Sequence, residues 1–139
     1  MNLLPILDRL RSELPATYVV ESPTVVLTAQ RDTLPAVQVL PGDEAVSATE
    51  GVGTELLCLL DCQVEVLIAA AAAVPATDSD PLAEAVAEVR AALLGYQHTD
   101  WSLPLTLVRG ELVAPDSARL LWRDVYLTQR SLTATIVTT

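Results

Sequence analysis

The sequence predicts an α+β domain: an antiparallel or mixed sheet of about four to six strands with two main helices packed on one face. Three observations carry this prediction. Residues 56 to 68 alternate strictly at period two, residues 80 to 94 carry helix signals at both ends, and residues 2 to 14 repeat leucine and isoleucine at helical spacing. Strands therefore come in runs, with helices laid between and before them.

The opening helix spans residues 2 to 14. Leu3, Ile6, Leu7, Leu10 and Leu14 form one apolar stripe of a 3.6-residue repeat. Pro5 is tolerated because the first turn has no internal N–H bond to lose. Pro15 ends the helix. Residues 17 to 33 are less readable: "TYVVE" suits a short strand, and "TVVLTAQ" suits a strand or a helical turn equally. "LPAVQVLP", residues 34 to 41, reads as a short strand bracketed by prolines. The small, acidic, glycine-flanked segment from 42 to 54 then reads as an exposed loop or flexible hairpin arm.

The clearest pattern follows. Leu56, Cys58, Leu60, Cys62, Val64, Val66 and Ile68 occupy the even positions, while Asp61, Gln63 and Glu65 fall among the odd ones. That is one buried and one partly wet face, as in an antiparallel strand. In such a strand Cys58 and Cys62 share a face but stand about 13 Å apart, at roughly 3.3 Å per residue. A disulfide needs Cα atoms within about 7 Å, so both are expected to be core thiols. After an alanine run at 69 to 73, "ATDSD" reads as a loop. The second helix starts on Asp80 as N-cap with Pro81 at its first position and Glu84 in its first turn. It buries Leu82, Val86, Val89 and Leu93, and Gly95 ends it in the left-handed conformation. "LPLTLVRGELV" reads as a strand with a bulge or tight bend at Gly110, "APDSA" as a turn, "RLLWRDVYLTQR" as an inner strand apolar on both faces, and "SLTATIVTT" as a further alternating stretch.

The 139 residues fit one domain, long enough to bury roughly two-thirds of its unfolded surface. Just over half of the chain is apolar, with no phenylalanine, so Leu, Val, Ile and Ala must build the core. Eighteen acids face eight bases, all of them Arg, for a net charge of −10. This balance argues against gripping nucleic acid, which needs clustered cations, and leaves open a protein that DNA slides past. The first residues lack the basic start and unbroken apolar run of a signal peptide. The longest apolar run, 66 to 74, is about half of what a membrane helix needs. A soluble, cytoplasmic chain without a membrane partner is expected.

Catalytic machinery is thin. There is no Gly-rich phosphate loop, nucleophile elbow or metal-spaced His and Cys cluster, so no catalytic, cofactor or metal site is expected. His98 is the single imidazole and Asp100 lies near it, but "YQHTDW" offers only Thr99 as a nucleophile. A corner is the stronger reading, with Tyr96 and Trp101 covering the helix end and the sheet edge. Asp78 and Asp80, or Asp43 and Glu44, lack the further ligands a cation needs and read as solvated loop acids. Trp122, Arg123 and Tyr126 combine residue types enriched at interface anchors, and strand packing explains them equally well.

Taken in order, the leucine-rich opening helix, "LPAVQVLP", the long alternating strand, "LAEAVAEVRAALLGY", the strand reaching "RGELV" and the closing "LLWRDVYLT" resemble the tail terminator proteins of long-tailed bacteriophages. Order, spacing and size together carry the resemblance through most of the chain; residues 17 to 33 depart from it. It implies a structural virion protein that assembles with itself as a ring, usually of six copies, on the head-proximal end of the tail. Such a ring stops polymerisation of the tail tube protein and presents a surface to the neck or head-completion protein, with DNA only as passing cargo. Assembly in the host cytoplasm follows. Subunit or tube contacts are then expected from the 42 to 54 arm, with Asp43, Glu44 and Glu50, and from Arg109, Trp122, Arg123 and Tyr126. The rival readings are another neck or tail-completion ring, a monomeric adaptor binding a peptide along a strand edge, and an enzyme working through His98 and Asp100.

Overall fold

A computed structural model describes residues 1–21, 34–72, 79–115 and 119–139. The elements are α1 (Leu4–Glu13), β1 (Val19–Glu21), β2 (Ala36–Val52), β3 (Glu55–Ala71), α2 (Pro81–Leu93), β4 (Thr106–Pro115) and β5 (Arg119–Thr135). The strands form one five-stranded sheet in the order β1-β2-β3-β5-β4. β1 runs parallel to β2 and every other pairing is antiparallel, so the α+β expectation holds with a mixed sheet. The expected reading of 22–33, the loop at 73–78 and the turn at 116–118 lie outside the described residues.

Both helices behave as their patterns dictate. Asn2 Oδ1 accepts the Leu4 N–H at 3.0 Å, and the stripe from Leu3 to Leu14 is buried. On α2, Asp80 Oδ1 accepts the Ala83 N–H at 3.1 Å, satisfying one of the orphan donors of the first turn. Leu82, Val86, Val89 and Leu93 are buried, and Gly95 takes φ +81°. These stripes meet Val37 and Val39 of β2, Val64, Val66 and Ile68 of β3 and Tyr126 of β5 in a single core. The even positions of β3 therefore face the helices, as its alternation predicts. Leu56 and Cys58 are only partly buried, because that end of the strand runs out beyond the helices. Both cysteines are free thiols; Cys62 is buried.

Two expectations need correction. The strand at 34–41 does not stop at its second proline: β2 continues to Val52 as a 17-residue strand, so of the two readings of 42–54 residues 42–52 follow the hairpin arm, paired with β3, and not the loop. Register shifts between Pro41 and Glu44, and between Val46 and Ala48, absorb the irregular residues. At Gly42 a Cβ would lie 2.9 Å from Gln63 Cβ, so glycine here lets two strands approach rather than ending one. The turn comes later, at Gly53 and Thr54, where Gly53 has φ +61° between the paired Val52 and Glu55.

Gly110 is the second correction. It pairs in regular register with Asp124, and the irregularities fall on either side, between Leu107 and Arg109 and between Leu112 and Ala114. A Cβ at Gly110 would lie 2.6 Å from both Arg90 Nη2 and Asp124 Oδ1. The glycine makes room for an ion pair.

Candidate assembly interface

Strand pairing sorts the surface residues. β3 and β5 stay in register from Glu55↔Thr135 to Ala71↔Arg119, so the two strands run out together past the helices, joined on the far side by β2. Residues 44–60 and 131–135 thus form a three-stranded arm. Leu60 is buried and Leu56, Leu57 and Leu59 are half-buried, but three of the arm's large apolar side chains lie open: Val46 is 60% exposed, Val52 62% and Leu132 45%. One face carries Leu56, Cys58, Leu60, Val46 and Leu132; the other carries Leu57, Leu59, Ala48 and Glu50.

Glu44 fixes the base of this arm. Its Oε1 accepts from the Met1 amino group at 3.3 Å and from Arg130 Nη2 at 3.3 Å, and the Cys62 thiol points at it from 3.7 Å. The hydrogen bond from Met1, then its charge and that of Arg130, hold the Glu44 carboxyl below the usual glutamate range against the opposing effect of burial. A carboxylate whose folded value is depressed contributes stability that is present above its unfolded value, about 4.3, and lost as pH falls through the folded value. Unfolding titrations from about pH 6 to pH 3 should therefore show a steeper loss for the wild type than for Glu44→Gln. Parallel curves would remove Glu44 from this role.

The second cluster sits under α2. Asp124 is fully buried on the helix-facing side of β5. It accepts from Arg90 Nε at 2.9 Å and Nη2 at 2.8 Å, from Trp122 Nε1 at 2.8 Å and from the Tyr126 hydroxyl at 3.1 Å. The Arg90 guanidinium lies 6.0 Å from the Trp122 ring. Burial and the Asp124 charge push the Tyr126 hydroxyl well above the usual tyrosine range. The group is a network in which three side chains donate four hydrogen bonds to one carboxylate.

Of the residues expected at an interface, Asp43, Glu44, Glu50 and Arg109 are exposed, and Glu44 also makes the contacts just described at the base of the arm. Tyr126 is fully buried in the core, and Trp122 is half-buried against it. Arg123 pairs across the strands with Glu111, Nη2 to Oε1 at 2.6 Å. Its hydrogen bond and charge hold the Glu111 carboxyl below the usual range. The arm and the Trp122 region lie at opposite ends of β5 and make no joint site. Sequence reading missed Arg90, Asp124 and Gly110, whose common role appears only when residues far apart in the chain are brought together.

The corner at 93–105 matches its bland reading. Gly95 N–H donates to Leu105 O at 3.0 Å and Leu105 N–H to Tyr96 O at 2.8 Å. Tyr96 and Trp101 meet edge to face at 5.5 Å, and Trp101 is buried. His98 Nδ1 lies 3.6 Å from the exposed Asp100 carboxylate, a solvent-side contact. Asp80 is the helix cap and Asp78 lies outside the described residues. Among the described residues no group of three or more His, Cys, Asp or Glu could hold a metal ion, and no helix is long and apolar enough to cross a membrane.

With this geometry in place, the comparison with known families is decisive. The family model for phage tail terminator proteins matches residues 1–136. The chain belongs to that family. No curated protein matches it. Tail terminators are structural components of the phage tail, which accounts for a molecule whose buried polar clusters brace strands and helices. Membership also gives the arm a context: a tail protein works by contact with other tail components, and the arm carries exposed apolar side chains.

Proposed function

We propose that this tail terminator assembles as a closed ring, of six copies, on the head-proximal end of the tail tube. There it ends tube polymerisation and forms the surface that joins the tail to the neck or head-completion protein. The observation that carries this reading is the arm. The strands run out past the helices, and strand edges with open apolar side chains are surfaces that proteins cover. Covering them with neighbouring copies turns a liability into a contact. The net charge of −10 suits a lumen through which DNA passes without being held. Contacts with neighbouring copies or with the tube are assigned to Asp43, Glu50 and Arg109, with Arg123 and its partner Glu111 near Arg109.

The test is tube growth. Tubes polymerised from the cognate tube protein should stop elongating when the purified terminator is added, and electron micrographs should show extra density at one end only. Tubes that lengthen at an unchanged rate with the protein present would overturn the capping role. A ring that binds the head side but leaves growth unaffected would instead be a neck ring.

A further inference from the structure

The arm is one half of a contact; the sheet also contains the other half. We propose that the outer edge of β2 in the arm pairs antiparallel with the edge strand β4 of a second copy of this chain, so that Glu50 of one copy faces Arg109 of the next and Val46 faces Leu112. This rests on the ring reading and specifies the subunit contact within it.

Charge supplies the first argument. Between residues 42 and 61 there are five acids and no base. Glu44 is held by Met1 and Arg130, and Asp61 accepts from Gln129. Asp43, Glu50 and Glu55 make no ion pair among the described residues. On β4, Arg109 is exposed; among the described residues it makes no ion pair and acts on Glu111 only through its charge. Glu50 on the β2 edge and Arg109 on the β4 edge thus make no ion pair among the described residues and belong to the same molecule.

Facing supplies the second. Glu50 is paired with Leu57, and Arg109 with Val125, which itself pairs with Glu65. Leu57 and Glu65 are both odd positions of β3, so Glu50 and Arg109 lie on the sheet face away from the helices. Val46 pairs with Leu60, and Leu112 with Trp122 opposite Ile68, so both point to the helix face. Val46 and Leu112 are exposed, as is Val108 beside them. When two copies join edge to edge with their faces continuous, charge meets charge on one side and apolar meets apolar on the other.

Register and direction agree. Glu50 and Val46 sit three steps apart on β3, opposite Leu57 and Leu60; Arg109 and Leu112 sit three steps apart on β5, opposite Val125 and Trp122. Both contacts form together only if the strands run antiparallel. β2 and β5 run alike and β4 runs against β5, so copies related by rotation about a ring axis place β4 antiparallel to the neighbouring β2. Among the described residues β1 covers only Ala36 to Gln38 of the outer edge of β2, and the arm lies beyond that stretch. Through its β3 partner, Glu50 lies level with Thr133, eight residues from the Val125 level of Arg109. That offset, roughly 27 Å, is a stagger of the kind a closed sheet of tilted strands takes. The contact joins different surfaces head to tail, the kind that closes into a ring.

Charge exchange tests this on the full-length chain. Glu50→Arg, Arg109→Glu and the double variant are compared with the wild type by sedimentation velocity, alone and with tube ends, after thermal melts confirm that all four fold. Each single variant should move the assembly midpoint to at least about tenfold higher concentration, because like charges then meet across every contact. The double variant should return to within about threefold of the wild type. Single variants that assemble normally, or a double variant no better than the worse single one, would overturn the edge pairing while leaving the ring intact. A wild type that stays monomeric alone and on tube ends would remove the ring reading and this contact with it.

Discussion

Asp124→Ala is expected to lower the unfolding free energy by about 3–5 kcal/mol, the usual cost of removing one member of a buried charge pair. Urea denaturation is the measurement. The substitution strands the Arg90 guanidinium, which loses both of its hydrogen bonds to the carboxylate. It also leaves the Trp122 Nε1 and Tyr126 hydroxyl donors without acceptors, and each buried orphan donor costs about 1–3 kcal/mol. Part of this is relieved because the Arg90 side chain is 32% exposed and can turn to water, which keeps the effect within the quoted range. Small domains hold only about 5–15 kcal/mol in total, so the variant is expected to be poorly folded at 37 °C. Asp124→Asn keeps the shape and two acceptor positions and should fall between. A loss under about 1 kcal/mol for Asp124→Ala would mean the network contributes little, as surface pairs do.

Leu10→Ala is expected to cost about 2–5 kcal/mol, the range for emptying a leucine site in a packed core. Leu10 is completely buried, on the stripe by which α1 joins α2 and the sheet, and the rigid strands beneath it limit collapse into the space. Leu4 on the same helix is 52% exposed, and Leu4→Ala should stay within about 0.5 kcal/mol. Equal effects at the two positions would show that α1 is not docked as described. Neither Leu10 nor Asp124 lies on the proposed subunit contact, so loss of assembly in these variants should follow loss of folding and not precede it.

Much of the framework was legible because single residues announced it. Asp80, Pro81 and Gly95 bracket α2, and the even positions of β3 name its buried face, since one face of that strand is apolar and the other is not. β2 was harder. Pro41, Gly42, Asp43 and Gly51 carry turn chemistry, and that local preference is overridden by pairing along the whole of β3, with two bulges taking up the misfit. Local propensity loses to a long partner strand, and nothing within residues 42–54 signals that the partner is there. β5 hid its polar centre for another reason. Leu121, Arg123, Val125 and Leu127 on one face and Trp122, Asp124, Tyr126 and Thr128 on the other do not separate by polarity, so Asp124 gave no sign of facing the core. Trp122 and Tyr126 looked like interface anchors by type, yet their polar ends turn inward to Asp124. The acids of the arm and Arg109 were visible as exposed charges; that they share a face and a spacing follows only from the register of four strands.

The account stands or falls on closure. The most direct measurement is the mass of the purified chain across a wide concentration range by analytical ultracentrifugation, with the same samples, and samples mixed with tail tubes, imaged by negative stain. The account predicts a single closed species of six copies with a central hole, either free or seated on one end of the tube. A chain that remains monomeric in solution and leaves tube ends bare, or that grows into open filaments without closing, would contradict it.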